Sequence, residues 1–355
     1  MAVFVFVAIC VVGIGATAFS IIRSRHHTLV LTGGVAYQPV PAQGLNSGSY
    51  LLFESTALNR DYGRVGLVPL DDPSAVPAIS PLTCARVAYA SGRGLCLTKP
   101  ATGVVSTTKA IVFGPHFNTL FTVPLTGFPS RAQVSPNGEY GAVTNFVAGD
   151  SYATMGQFST RTDIIDLRTG TLLFDLAKLQ VTRNGSPFTE VDFNFWGVTF
   201  AKDNQHFYAT LGTGGQTYLI EGDVATEQAT VMLSGIECPS LSPDNSQIAF
   251  KKRQPGTIVT WRLWVLDLAT MTEHPLAETA SIDDQAQWLN NSTVIYGLPV
   301  DPAAVAALGA SNPGLDVMAA GASILTDTWS VPANGTGTPT LLTAGTWSDQ
   351  VVTTG

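Results

Sequence analysis

The chain has 355 residues, 45% of them apolar and only 12% charged, with 34 Gly and 21 Pro. That composition points to a large all-β chain, and because no internal stretch is rich enough in Pro, Ser or charge to serve as a linker, one globular domain is expected. Its 18 basic against 26 acidic side chains give a net charge of -8, so the surplus of Lys and Arg that phosphate binding needs is absent and a nucleic-acid partner is excluded.

Residues 2–22 (AVFVFVAICVVGIGATAFSII) carry no charge, and a helix of that length roughly matches the ~30 Å hydrocarbon core of a bilayer. The run predicts one apolar helix within residues 1–27. It is either an uncleaved anchor in the cytoplasmic membrane ending at Ile22 or a signal peptide. In the second case cleavage falls after Ala18, where Ala16-Thr17-Ala18 fits the small-x-small pattern, and the protein is secreted. Arg23, Arg25, His26 and His27 follow the run, which by the positive-inside tendency places the remainder in the cytoplasm. A start codon placed too late, with a basic leader missing, reverses that orientation. Residues 28–47 read as linker and lead-in.

From residue 48 onward, Gly and turn signals divide the chain into six units. The first, about 48–80, holds the strands SYLLFES and RVGLVPL. The second, 81–128, opens with CARVAYASGRGLCL, a hairpin whose turn is expected at Ser91–Gly94. That turn sets Cys96 nearer Tyr89 than Cys84, so a Cys84–Cys96 disulfide requires a bulge or a bent strand. The other reading is two buried thiols acting as small hydrophobes. With the remaining cysteines at 10 and 238, no pair has metal-ligand spacing.

Four decapeptides then overlay: Val134 to Val143 (VSPNGEYGAV), Phe200 to Ala209 (FAKDNQHFYA), Leu241 to Phe250 (LSPDNSQIAF) and Trp288 to Gly297 (WLNNSTVIYG). Each is a large apolar residue, a polar tight turn, then an aromatic and small apolar alternation, which is strand, turn, strand. A second repeated half ends in an Asp-Leu-like pair, a turn and a strand: TDIIDLRTGTLLFDL, TYLIEGDVATEQATVML, LWVLDLATMTEHPL and, degraded, DTWSVPANGTGTPTLL. Four strands per unit and a recurrence near 45 residues describe propeller blades. Residues 48–355 are therefore expected to form a six-bladed β-propeller. The run 299–323 interrupts the sixth blade with Ala, Gly and Pro, and reads as an inserted loop with a candidate short helix at 302–308. Asp349-Gln350-Val351-Val352 overlays Asp284-Gln285-Ala286-Gln287, the start of an inner strand, whereas blade one lacks one. The C-terminal segment is thus expected to close the ring as the innermost strand of blade one.

Ser242 to Phe250 (SPDNSQIAF) resembles the repeat of TolB-type propellers, in which Ser-Pro-Asp-Gly makes the turn between the first two strands of a blade. STRTDIIDL, DFNFWGVTFAKD, ECPSLSPDNSQIAFKKR and DDQAQWL resemble the actinobacterial TolB-like proteins that carry a signal or single-pass anchor. The resemblance covers most of the chain from about 48 and implies an extracytoplasmic propeller on the cell membrane, serving as a protein-binding platform of the envelope. It favours the outward orientation and carries over no functional residue. Asn245 and Asn204 stand where the family repeat favours Gly, and Asn tolerates the left-handed conformation that position needs.

Templates for catalysis are missing: G-x-S-x-G, a P-loop, H-E-x-x-H and C-x-x-C do not occur, and no residues remain for a separate hydrolase domain. No paired His suggests a transition-metal site, and no cofactor is expected. The overlay sets Ser130-Arg131, Trp196-Gly197, Glu237-Cys238, Asp284-Gln285 and Asp349-Gln350 at equivalent positions before each inner strand, hence around the channel mouth. Arg131, Trp196, Glu237, Asp284 and Asp349 are the candidate ligand-binding residues. Three carboxylates could hold a cation such as Ca²⁺ or act as acid and base in a lactonase-like hydrolysis. The competing account has them bonded to neighbouring blades. Phe193, Phe195 and Trp196 offer either a stacking surface or packing between blades, and Lys251-Lys252-Arg253 reads as a solvated strand and loop. The function expected is a membrane-tethered, non-catalytic platform for an envelope protein, peptide or glycan, with a hydrolase as the alternative.

Overall fold

The computed structural model describes residues 40–42, 44–46, 48–56, 61–98, 108–147, 159–257, 259–300, 326–344 and 346–352. The expected helix in residues 1–27, the cleavage site after Ala18 and most of the 299–323 insertion, with its candidate helix at 302–308, lie outside them. No helix among the described residues is long and apolar enough to cross a membrane.

The repeated units fold into six separate sheets arranged as the blades of a propeller, five of four strands and one of six. The register between neighbouring blades follows from side-chain alternation, because successive residues of a strand point to opposite faces. Leu51 joins the apolar cluster between blades six and one, whereas Leu52 joins that between one and two. Ile165 lies between blades two and three, and Ile164 between three and four. Two more clusters fill the four–five and five–six interfaces, so every interface has its own core. Blades buried on both faces read as nearly continuous apolar runs, as these strands do. Phe53, Phe207 and Phe250, each almost wholly buried, contribute about 2–3 kcal/mol apiece by leaving water.

Ring closure follows the expected route, with one change of boundary. Thr346–Val352 lies innermost in blade one, beside Tyr50–Ser55, and Tyr50 pairs with Val352. The strand begins at Thr346 rather than at Asp349, because hydroxyls of blade six hold its start: Thr328 Oγ1 meets Thr346 Oγ1 at 2.8 Å, and Thr326 Oγ1 donates to the Thr346 carbonyl at 3.3 Å.

The polar turns of the repeat gather at the far end of the channel and bond one blade to the next. In blade three the Ser135 hydroxyl accepts from Tyr140 N, and in blade five that of Ser242 accepts from Gln247 N. The left-handed position is Gly138, Asn204 and Asn245 in the first three decapeptide copies, with φ of 73°, 61° and 66°. Across blades, Asn137 N donates to Asn204 Oδ1 at 2.8 Å, and Asp244 N to Asn291 Oδ1 at 3.1 Å. Ser91 Oγ donates to the Pro136 carbonyl at 2.7 Å.

Two local expectations are corrected. The Cys84–Cys96 hairpin turns on two residues, Ser91 (φ 44°) and Gly92 (φ 86°), the pair of left-handed conformations that a tight twisted hairpin requires. Cys96 consequently faces Val87, while Tyr89 faces Gly94. Cys84 lies before the strand, where the chain crosses from blade one into blade two, and reaches back diagonally to form the disulfide with a Cα separation of 5.4 Å. Blade four is wider than the repeat predicts. An outer hairpin, Gln180–Arg183 and Ser186–Pro187, adds to its edge, with Gln180–Arg183 parallel to Gln228–Ser234.

Candidate functional site

The inner strands all start at the end of the channel opposite the turns, and most carry a bulge there. The pairing skips a residue at Asp349 in blade one, at Ser130 in blade three, at Gly197–Val198 in blade four and at Cys238–Pro239 in blade five. Bulges re-aim side chains, and these are the positions that the sequence overlay brings into line. Gly197 is required by close approach: its φ is +67°, and a Cβ there would lie 2.9 Å from Cys238 Cα in the adjacent bulge.

Arg131 of blade three reaches across the axis to blade six, its Nη2 lying 2.8 Å from Asp284 Oδ1. Arg86, on the inner strand of blade two, stands 3.9 Å from Asp284 Oδ2 and 3.9 Å from Glu54 Oε2 of blade one. It also donates from Nε to the Ser130 carbonyl at 2.8 Å. Gln285 donates from Nε2 to the Pro239 and Val198 carbonyls at 2.6 and 3.2 Å, tying blade six to blades five and four. On the other side, Lys251 is ion-paired with Asp283 and lies 3.7 Å from Glu237 Oε2. Trp261 Nε1 donates to the same Glu237 oxygen at 3.2 Å, and the Lys251 ammonium sits 4.6 Å from the Trp261 ring centroid.

The electrostatics follow from this pairing. Burial works against the charge of Asp284, but Arg131 and then Arg86 outweigh it and hold its carboxyl below the ordinary carboxylate range. Burial likewise opposes the Arg131 charge, and Asp284 with Cys238 and Asp283 raises its pKa nonetheless. Lys251 is raised in the same way, against its burial, by Cys238 and Asp283. All three therefore stay charged at neutral pH.

Of the five residues expected at the mouth, Arg131 and Asp284 meet directly. Glu237 belongs to a separate cluster with Lys251 and Trp261. Trp196 is buried, with its ring over Gly212, where a Cβ would come within 2.8 Å. Asp349 takes the bulge position of blade one, and its side chain lies outside the described part. The aromatic run packs rather than offering an open face: Phe193 meets Phe195 edge-on at 5.8 Å and Phe188 at 5.2 Å. Lys251, expected in solvent, is buried, because the bulge sets it opposite Glu237. Lys252 is ion-paired with Glu273 and lies over Trp264.

Arg86, Glu54, Asp283 and Lys251 were not anticipated here. Arg86 and Arg131 each lie in an inner strand just before its apolar stretch, and that shared place is a usable signal. Lys251 required counting outward from the Ser242–Ser246 turn. Among the described residues no group of three His, Cys, Asp or Glu gathers to hold a metal ion. Beside this polar centre, Phe128 and Phe146 pair directly across blade three and are 55% and 41% exposed. Val191 and Val259, on loops of the same face, are exposed as well.

Neither a protein-family model nor a curated protein sequence matches the chain. Solved structures do. TolB from Acinetobacter baumannii is 13% identical, with a TM-score of 0.57 over 88% of this chain and 68% of that one. A chain of a nidogen/laminin complex is 10% identical, with a TM-score of 0.52 over 86% of this chain and 99% of that one. A puromycin-hydrolysing peptidase of Mycobacterium tuberculosis is similar at 14% identity and a TM-score of 0.46, over 89% of this chain and 46% of its own. At such identities the likeness establishes the fold, a TolB-like six-bladed propeller, and nothing about activity.

Proposed function

We propose that the protein is a non-catalytic binding platform, tethered outside the cytoplasmic membrane through residues 2–22, whose mouth face receives an envelope protein, peptide or glycan. One observation carries this reading. Two of the mouth carboxylates are paired within the fold, Asp284 with Arg131 from the opposite blade and Glu237 with Lys251 and the Trp261 indole N–H. A hydrolase would need one carboxylate free to take a proton and another poised to give one, whereas here Asp284 ties blade six to blade three and Glu237 pairs with Lys251 and Trp261 of its own blade. The exposed Phe128–Phe146 pair next to these paired charges has the composition of an interface, aromatic with a polar surround. A disulfide between Cys84 and Cys96 suits an oxidising compartment. That a propeller of this fold occurs in the nidogen/laminin complex is compatible with a role in protein binding.

Three measurements test the proposal. Affinity capture from solubilised envelope should recover one partner with the native chain and lose it with Phe128→Ser plus Phe146→Ser, while lactones, esters and peptides remain unhydrolysed. Turnover abolished by Glu237→Gln or Asp284→Asn would restore the hydrolase. Protease shaving of intact cells should degrade the propeller; protection of residues 100–350 would overturn the outward orientation.

A further inference from the structure

We infer that the seam between blades two and three is the one that opens on the mouth side, admitting water between these two blades while the rest of the ring stays closed. Strand alternation sets Asn145 and Asp163 in that seam. Val143 and Ile165, two residues away along Tyr140–Val147 and Ser159–Asp166, join the apolar cluster with Ala88, Leu95 and Val112 of blade two. Asn145 is fully buried, and neither its Oδ1 nor its Nδ2 has a hydrogen-bond partner. Asp163 is nearly as buried and accepts from the partly exposed Arg161 of its own strand, Nε lying 3.0 and 3.1 Å from its two oxygens. Burial raises the Asp163 pKa although Arg161 opposes it, so the closed seam disfavours its charge. On the facing side, Thr108 lies on the same face of blade two as Ala110 and Val112, and its hydroxyl donates to the Gly127 carbonyl at 2.6 Å.

The other seams pair their buried polar groups across the interface. Between blades three and four, Thr162 Oγ1 donates to the Phe195 carbonyl at 2.6 Å and Thr160 N to Asn194 Oδ1 at 2.9 Å. Cys238 N donates to Thr210 Oγ1 at 2.8 Å between four and five, and Trp288 Nε1 to the Ser240 carbonyl at 2.8 Å between five and six. Thr56 Oγ1 donates to the Thr326 carbonyl at 3.0 Å between six and one, and the disulfide ties one to two. Blades two and three are joined at the turns, where Ser91 Oγ donates to the Pro136 carbonyl at 2.7 Å, and near the axis, where Arg86 Nε donates to the Ser130 carbonyl at 2.8 Å. Outward from the axis and towards the mouth, no side-chain hydrogen bond crosses this seam among the described residues, and the Asn145 amide regains its bonds only when water enters. Such a region opens at lower cost than the fold as a whole, with the Ser91–Pro136 contact as its hinge. Asn145 adjoins Phe146, so the opening shifts the exposed Phe128–Phe146 pair against blade two. It requires no partner, and the platform reading stands or falls apart from it.

The test reads solvent access as thiol labelling of the full chain under native conditions, located by mass spectrometry so that the native cysteines are told apart. A cysteine replaces one fully buried alanine in each of two seams, by Ala110→Cys between blades two and three and by Ala209→Cys between three and four. Labelling is expected to be faster in the Ala110→Cys chain. Adding Asn145→Leu, which removes the unpartnered amide at similar volume, should slow it roughly tenfold while leaving the Ala209→Cys rate unchanged. Val112→Cys and Ala142→Cys probe the same two seams, and Asn145→Val replaces Asn145→Leu, should a first choice misfold. Equal labelling at the two seams, or a rate in the Ala110→Cys chain that Asn145→Leu leaves unchanged or raises, overturns the proposal.

Discussion

Arg131 and Asp284 sit on opposite blades of a six-membered ring and meet at 2.8 Å across its axis. A pair that spans the channel constrains every blade between its partners, so the mouth acts as a brace as well as a surface. Removing one partner of a nearly buried ion pair costs about 3–5 kcal/mol, because the other charge stays buried. Arg86, 3.9 Å from Asp284, softens the loss, and Arg131→Met is expected near the lower bound in urea denaturation. Arg131→Met with Asp284→Asn should recover part of it, since no buried charge is then stranded. The pH dependence has a definite sign. The Asp284 pKa is depressed in the fold, so its stabilisation is complete above the unfolded value of ~3.9 and is lost as pH falls through the folded one. Arg131→Met should move the acid-unfolding midpoint to higher pH.

The disulfide closes the crossing from blade one to blade two. Cys84 N donates to the Gly63 carbonyl at 3.0 Å, and Cys96 lies on the second strand of blade two, so the bond links a connection to a strand and constrains both. With a sequence separation of 12, loop-closure entropy gives about 3 kcal/mol. Cys84→Ala plus Cys96→Ala, or reduction of the native chain, is expected to lower stability by that order in denaturant titrations. An unchanged midpoint with reductant would show that the thiols are not bonded.

Blade number and ring closure were legible because they depend on spacing, and spacing survives in a sequence whose turns still read Ser-Pro-Asn-Gly and Ser-Pro-Asp-Asn. The partners of the mouth residues were not legible. A bulge of one residue at Cys238–Pro239 decides that Lys251 faces Glu237, and nothing in the strand's composition announces it. The reach of Arg131 to blade six depends on channel width, a property of all six blades together. The hairpin added to blade four was missed for a different reason: Gln180–Arg183 and Ser186–Pro187 form strands too short for alternation to register.

Asn204 does two things that glycine, the usual residue in this turn, could not do together. It holds the left-handed conformation at φ 61° and accepts the Asn137 N–H at 2.8 Å, joining blade four to blade three. Asn204→Gly keeps the conformation and loses the bond, so about 1 kcal/mol is expected. Asn204→Ala loses the bond and also strains the backbone by about a further 1 kcal/mol. Thermal unfolding of both variants separates the contributions: an unchanged Asn204→Gly would show that the inter-blade bond does not matter, and equal effects would show that the strain does not.

His206 supports that same turn from within. Its Nδ1 lies 2.6 Å from Asp203 Oδ2, and Asp223 Oδ2 is 3.8 Å from its Nε2. The Asp203 hydrogen bond raises the imidazole pKa above its ordinary value, with Glu221 and Asp223 adding to it. A raised histidine contributes stability that is fully present below its unfolded pKa of ~6.5 and is lost as pH rises through the folded value. Because the imidazole is nearly half exposed, water and salt screen the pair and the effect is small. Its signature is in the slope. The native chain should lose a little stability between about pH 6 and 8, and His206→Gln should flatten that decline. A decline of the same steepness in His206→Gln would assign the titration to another group.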